Sequence, residues 1–138
     1  LEPVFNPRSI AVIGASRREG TIGQQVTKNL IDGGFPGPIY PINPGATEIL
    51  GLKTYPSITD IPEPVDAAVY CVPADKVLDV ARQCAKAGVK GHIVITSGFA
   101  AGILLTAEPG SFANWTTPAY SAWSVTPAQS SGVLILTS

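Results

Sequence analysis

The stretch that most constrains the fold of this chain lies between residues 9 and 23. Residues 10–13 (Ile-Ala-Val-Ile) are apolar and mostly β-branched, and they stop at Gly14, which predicts a short strand buried on both faces. A polar loop then runs to Gly20, and a helical pattern follows from 21 to 30. A strand, a glycine-rich loop and a helix in this order direct backbone N–H groups at one point, where an anion can bind.

The loop also carries residue types that suit phosphate binding. Gly14 allows a tight turn, while Gly20 and Gly23 allow another backbone or a phosphate to come close. Arg17 and Arg18 add fixed positive charge inside the loop. We therefore interpret this loop as a cradle for the phosphates of a nucleotide-bearing ligand.

Two helices are predicted from apolar periodicity. The first, over 21–30, places four apolar side chains on one stripe: Ile22, Val26, Leu30 and Ile31. The second covers 74–88 and has acidic residues near its start and lysines near its end, as the helix dipole favours. One helical turn is expected at 57–61.

Three further strands are predicted, at 38–42, 66–72 and 92–96. Pro41 lies inside the first of them and indicates an edge strand. Strands that alternate with helices imply a parallel sheet with right-handed crossovers, and we expect an α/β, Rossmann-like, doubly wound fold.

The carboxyl ends of parallel strands in such a fold line one ligand crevice. The strand ends predicted here are polar or rich in glycine and proline. They are Gly14-Ala15-Ser16, Asn43-Pro44, Val72-Pro73-Ala74 and Thr96-Ser97-Gly98.

Composition narrows the class of protein. The 138 residues suggest one domain, and the net charge of −1 gives no sign of nucleic-acid binding. No apolar run reaches the ~18 residues of a membrane span, and no signal peptide is visible. Two cysteines make no disulfide framework, so we expect a cytoplasmic protein with reduced thiols. Because the chain starts at Leu1 and has no Met, we expect it to be a piece of something longer.

The last part of the chain, 101–138, differs from the rest. Glu108 is the one charged residue of this segment, and the segment contains both tryptophans of the chain. No helical or strand period is sustained before residues 131–136, where a final strand is expected near 132–136. We predict a domain over residues 1–100. Two hypotheses account for the tail that follows: a naturally divergent end, or a frame error that replaced the sequence of a helix. Reading the coding DNA in the other two frames distinguishes them.

Three phosphate ligands compete: NAD(P), a mononucleotide and coenzyme A. The spacing from Gly14 to Gly20 is longer than in the G-x-G-x-x-G loop of NAD sites. NAD binding also favours an acidic residue at the end of the second strand, and none lies between Gly33 and Thr47. The loop has no lysine, which argues against a Walker A site. Ligands of the NADP type remain compatible with these residues.

Five segments in order carry a family resemblance over about residues 2–100. They are Ile-Ala-Val-Ile-Gly-Ala-Ser-x-x-x-Gly-x-x-Gly (10–23), Tyr-Pro-Ile-Asn-Pro (40–44), Gly-Leu-Lys-Thr-Tyr-Pro-Ser-Ile (51–58), Val-Asp-Ala-Ala-Val-x-x-Val-Pro-Ala (65–74) and Ile-Thr-Ser-Gly-Phe (95–99). The chain resembles the CoA-binding domain of the succinyl-CoA synthetase α-subunit and of NDP-forming acyl-CoA synthetases such as acetate–CoA ligases.

The resemblance implies roles for matching positions. Ser16, Arg17, Arg18 and Glu19 would surround the phosphates of coenzyme A, together with Gly20 and Thr21. Val72, Pro73 and Ala74 would border the pantetheine arm, and Ile95, Thr96 and Ser97 would lie near the thiol. Asn43 and Pro44 would stand at the end of the second strand. The family often has a basic residue just beyond them, where this sequence has Ala46, so Arg17 or Arg18 would supply that charge.

The resemblance also implies what this piece does in a larger enzyme. It would hold coenzyme A in an acid–CoA ligase and be non-catalytic by itself, with catalysis by a phosphorylated histidine on further ligase domains or a partner subunit. His92, the single histidine, is expected to be structural, and no catalytic or metal residues are predicted. The alternatives are an NAD(P)-binding oxidoreductase domain and a standalone CoA-binding regulatory protein.

Overall fold

The computed structural model describes residues 7–96 and four strands beyond them, at 102–105, 112–115, 124–128 and 131–137. The first half runs β1 (Ile10–Ile13), α1 (Ile22–Asp32), β2 (Ile39–Ile42), β3 (Glu48–Ile49) and β4 (Leu52–Lys53). The second runs through β5 (Ala67–Tyr70), α2 (Val77–Lys86) and β6 (Gly91–Thr96) to β7 (Gly102–Leu105), β8 (Phe112–Trp115), β9 (Ser124–Ala128) and β10 (Ser131–Thr137). Short 3₁₀ turns cover Ile58–Asp60 and Ala74–Lys76.

The main sheet has the strand order β2-β1-β5-β6-β10-β9. All neighbouring pairs are parallel except β9 with β10. The predicted Rossmann-like parallel sheet is therefore confirmed, and β2 lies at its edge as Pro41 predicted. Tyr55 forms an isolated parallel bridge to Ile42, which covers part of that edge.

The two faces of the sheet support separate apolar clusters, because alternate residues of each strand point to opposite faces. On one face, Ala11 and Tyr70 pack with residues of α2 that include Ala81 and Cys84. On the other face, Val12 and Val69 pack with Val26 and Leu30 of α1 and with Ile49 of the β3–β4 hairpin. One helix on each face is the doubly wound arrangement.

One expectation about α1 is wrong. Ile22 and Ile31, predicted on the buried stripe, are 46% and 38% exposed. The helix instead buries Gly23, Gln24 and Thr27. For Ile22 the physical reason is the close approach of the first helical turn to the end of β1, which places Gly23, a residue without a side chain, in the contact.

The connections that lead from β1 to β2 and back to β5 determine where a ligand can bind. From β1 the chain crosses to β2 on one side and later returns to β5 on the other. Loops at the carboxyl ends of β1 and β5 therefore diverge and leave a crevice between them, as expected at the topological switch point of an open α/β sheet. In the described part of the chain, no helix is both long and apolar enough to cross a membrane.

Candidate functional site

An open cleft of about 550 Å³ lies at the carboxyl ends of β1 and β5 and beside the first turn of α1. Its walls come from the glycine-rich loop, the start of α1, the segment after β5 and the end of β6. The lining residues are Gly14, Ser16, Gly20, Thr21, Ile22, Gly23, Cys71, Val72, Pro73 and Ile95.

Gly14 and Gly23 bring three backbones together at the floor of this cleft. Gly14 has φ of +85°, and a Cβ on it would lie 2.2 Å from the carbonyl oxygen of Cys71. A Cβ on Gly23 would lie 1.9 Å from the carbonyl oxygen of Gly14. Neither position has room for a side chain, so glycine is required for α1 and the β5 end to approach the end of β1.

Two side chains of the loop hold the backbone of Arg18. The Arg18 N–H donates to Ser16 Oγ at 3.0 Å, and Thr21 Oγ1 donates to the Arg18 carbonyl at 2.7 Å. Thr21 is also the N-cap of α1, because its Oγ1 accepts from the N–H of Gln24 at 3.4 Å. The loop therefore has a defined conformation that ends directly at the helix start.

Several backbone N–H groups around the cleft have no acceptor within the described residues. They belong to Ser16, Gly20, Ile22 and Gly23, all of which line the cleft. The last two are in the first turn of α1, where N–H groups have no partner within the helix, and that turn contains no acidic side chain. Unpaired N–H groups and the positive end of a helix dipole attract an anion such as a phosphate.

The charged residues of the loop lie outside the lining of the cleft. Arg17, Arg18 and Glu19 are exposed and are not among the lining residues. Arg17 Nε donates to the carbonyl oxygen of Glu48 in β3 at 2.8 Å, which ties the loop to the β3–β4 hairpin. This contact fixes the guanidinium of Arg17 on the side of the loop that faces the hairpin.

Asn43 follows β2 directly and contacts the neighbouring loop. Its Nδ2 donates to the carbonyl oxygen of Ala15 at 2.8 Å, and its Oδ1 accepts from the N–H of Gly45 at 2.7 Å. Asn43 and the exposed Pro44 do not line the cleft. The end of β2 is thus fixed to the loop that leaves β1.

The structure brings together Gly14, Ser16, Gly20, Thr21, Val72, Pro73 and Ile95 of the predicted ligand residues. Ser97 and the side chains of Ala74 and Thr96 lie outside the described residues. The lining also includes Ile22 and Cys71, which the sequence prediction did not include although each directly adjoins a predicted residue. The assignment of the predicted residues as contacts of the ligand stays a prediction.

Cys71 in the lining of the cleft, and His92 and Tyr70 within the sheet, are neutral at physiological pH. Burial raises the pKa of the Cys71 thiol to about 12, so this thiol carries its proton. His92 in β6 is 5% exposed, and burial lowers its pKa to about 4 against the opposing effect of a backbone hydrogen bond with Val89. Burial also raises the pKa of Tyr70, whose Oη lies 2.5 Å from Nδ1 of His92. Tyr70 therefore donates and the imidazole accepts.

Comparison with known proteins gives a family match. The family described as "CoA binding domain" matches residues 8–119. An ADP-forming acetate–CoA ligase II of Archaeoglobus fulgidus is 52% identical over 99 residues, and an ADP-forming acetate–CoA ligase of Methanocaldococcus jannaschii is 48% identical over 99 residues. Each alignment covers 72% of this chain but 15% and 14% of the two relatives, so the chain spans a small part of their length.

Solved structures give the same picture of the fold. A dinucleotide-forming acetyl-coenzyme A synthetase 1 of Ca. Korarchaeum cryptofilum, in complex with phosphate and ADP, superposes with a TM-score of 0.70 at 56% identity. That match covers 72% of this chain and 21% of the synthetase. A conserved hypothetical protein from Pyrococcus furiosus matches with a TM-score of 0.58 at 37% identity, over 63% of this chain and 73% of that protein.

Proposed function

Because the chain belongs to the CoA-binding domain family, we propose that it binds coenzyme A as the CoA-binding portion of an NDP-forming acyl-CoA synthetase. The relatives that are ADP-forming acetate–CoA ligases support this assignment. The complete enzyme would join a carboxylic acid to coenzyme A while a nucleoside triphosphate is converted to the diphosphate. Other domains or a second subunit would supply that chemistry, and this portion would hold the thiol substrate.

The observation that carries the proposal is the set of unpaired N–H groups in the cleft. The N–H groups of Ser16, Gly20, Ile22 and Gly23 would bind the diphosphate of coenzyme A at the start of α1. At the mouth of the cleft, the phosphates would be surrounded by the exposed guanidinium groups of Arg17 and Arg18 and by the neighbouring loop residue Glu19.

The rest of coenzyme A would follow the cleft away from the loop. The pantetheine arm would pass Val72, Pro73 and Ala74, where Val72 and Pro73 provide apolar lining. Its thiol would lie near Ile95, Thr96 and Ser97 at the end of β6. This portion would act in the cytoplasm, and the unpaired state of Cys71 and Cys84 is compatible with a reducing compartment.

Binding of NAD(P) is the weaker hypothesis. Dinucleotide-binding folds use an acidic residue at the end of the second strand to bind the ribose hydroxyls. That position holds Asn43, whose Nδ2 and Oδ1 are both bound to backbone groups of the protein. A ribose diol would therefore have to displace an internal hydrogen bond to be recognised there.

A standalone CoA-binding regulatory protein is a second candidate. It is favoured by the Pyrococcus furiosus relative, most of whose length this chain matches. The two candidates share the ligand and differ in what surrounds the domain. The full open reading frame distinguishes them, since the ligase hypothesis requires further domains downstream or a separate subunit.

Ligand binding tests the proposal. Thermal unfolding is followed with coenzyme A, NADH and NADPH, and coenzyme A at 100 times its Kd is expected to stabilise the chain by about 2.7 kcal/mol. The double variant Arg17→Ala/Arg18→Ala should weaken the binding of coenzyme A, whereas Arg82→Ala, an exposed arginine on α2, should not. Stabilisation by NADH but not by coenzyme A would contradict the proposal. Equal affinity of the double variant would refute the role of the two arginines.

A further inference from the structure

Asn43 is the residue through which the edge strand of the sheet reaches the phosphate loop. Its own N–H donates to the carbonyl oxygen of Tyr55 at 2.9 Å, so its backbone is fixed from the outer side. Its side chain extends the other way, to Ala15 in the loop after β1. Asn43 is half-buried and does not line the cleft, so any effect on a ligand has to pass through the residue that it contacts.

The contact with Ala15 fixes the orientation of one peptide group. Ala15 is 1% exposed, so water has little access to compete for its carbonyl oxygen, which accepts from Asn43 Nδ2 at 2.8 Å. This hydrogen bond directs the Ala15 carbonyl toward the end of β2. Rotation of the peptide would leave both the carbonyl and the amide of Asn43 without their partners, which is costly in a half-buried position.

The same peptide group contains the N–H of Ser16. No cis peptide bond occurs in the described residues, and in a trans peptide the N–H points opposite to the C=O. Since the carbonyl points toward β2, the Ser16 N–H points to the other side of β1, where β5 and the cleft lie. This N–H has no acceptor among the described residues, as expected for a donor that is available to bind a ligand.

We propose that Asn43 is a positioning residue for phosphate recognition: by binding the Ala15 carbonyl it holds the Ser16 N–H toward the diphosphate of coenzyme A. The inference rests on the proposed function, because the ligand that receives this N–H is coenzyme A. In this arrangement, the direction of an N–H group in the anion site is set by a side chain that does not contact the ligand. It also explains why an amide, which has both a donor and an acceptor, suits the end of β2 in this chain.

Two substitutions isolate the contact with Ala15. Asn43→Asp retains an oxygen that accepts from the Gly45 N–H but replaces the donor to Ala15 with a carboxylate oxygen, which the carbonyl repels. Asn43→Ser retains an acceptor for the Gly45 turn, adds no charge and is too short to reach Ala15. Asn29→Asp is the matched control, because it makes the same chemical change at an exposed position of α1 that lies outside the lining residues. Urea unfolding shows that each variant is folded.

Two measurements are made on each folded variant. Calorimetric titration gives the affinity for coenzyme A, and we expect both Asn43 variants to lose about tenfold or more, as for one hydrogen bond to a charged group. ¹H–¹⁵N NMR gives the chemical shift of the Ser16 amide proton. This resonance should move downfield on addition of coenzyme A in the parent chain and in Asn29→Asp. The same shift should be absent in both Asn43 variants, which a general loss of stability would not produce.

The outcomes separate the inference from the proposed function. If the parent chain binds no coenzyme A, the proposed function fails and the inference fails with it. If the parent chain binds but both Asn43 variants bind equally well, or their Ser16 amide still moves downfield, only the inference is overturned. A loss confined to Asn43→Asp, or shared by Asn29→Asp, assigns the effect to charge and also overturns it.

Discussion

Replacing Gly23 by alanine sets two physical effects against each other. Alanine is favoured over glycine inside a helix by about 1 kcal/mol, so propensity alone predicts a more stable α1. The added Cβ, however, would lie 1.9 Å from the carbonyl oxygen of Gly14 and 3.1 Å from the Cα of Ala15. The first turn of α1 would have to withdraw by about 1 Å, and overpacking of this kind costs up to about 3 kcal/mol. We expect a net destabilisation of about 2 kcal/mol.

The assay is urea unfolding followed by circular dichroism, with thermal unfolding as a second measure. A loss of about 2 kcal/mol corresponds to a fall in Tm of about 8 °C for a domain of this size. Asn29→Ala is the control at an exposed position of the same helix: its gain of about 0.5 kcal/mol in helix propensity is opposed by loss of the hydrogen bond from Gln25 Nε2 to Asn29 Oδ1, so its stability should stay within about 0.5 kcal/mol of the parent chain. The affinity for coenzyme A should fall in Gly23→Ala alone. A variant at least as stable as the parent chain, with unchanged affinity, would refute the close approach of α1 to β1.

Three further predictions concern titration, alkylation and the helix cap. Because the pKa of His92 falls from 6.5 to about 4 on folding, the unfolded chain binds more protons between these values, and the stability contributed by neutral His92 should decrease by about 3 kcal/mol as pH falls through that window. NMR titration of this single histidine checks it, and a pKa near 6.5 in the folded chain would show that the ring is not buried. Cys71, whose pKa burial raises to about 12, should react with iodoacetamide at pH 8 much more slowly than a free thiol, and more slowly still with coenzyme A bound; rapid alkylation of the folded chain would contradict this. Thr21→Ala removes the N-cap and the contact with the Arg18 carbonyl and should cost about 1 kcal/mol in urea unfolding, whereas Thr21→Ser should retain most of that stability.

The strands near the site could be predicted from the sequence because each is a short apolar run that ends at a glycine, an asparagine, a proline or a Ser-Gly pair. Expected strands at 38–42, 66–72 and 92–96 correspond to β2, β5 and β6 with small differences at their ends. The β3–β4 hairpin was not predicted, because strands of two residues have no measurable period. The predicted final strand near 132–136 lies within β10, while the division of the chain near residue 100 stays a prediction.

The cleft could be located from the sequence because glycines and strand ends mark it. The roles of single residues could not, because they depend on which partner each side chain finds. Arg17 and Asn43 illustrate this: the sequence gives no sign that their side chains donate to the backbone carbonyls of Glu48 and Ala15, and their roles at the ligand stay predictions. Ile22 illustrates the opposite case, since periodicity assigned to the core a side chain that the close contact at Gly23 leaves exposed.

The central position of β1 has a consequence for synthesis of the chain. Ile10 pairs with Ile39 on one side and with Ala67 on the other, so β1 cannot complete its pairing until β5 has left the ribosome. Until then the nascent polypeptide presents an apolar strand with an open edge, the kind of surface that chaperones recognise and that aggregates when translation stalls. The segment that forms the glycine-rich loop is thus made before β5 and depends on that later strand for its shape.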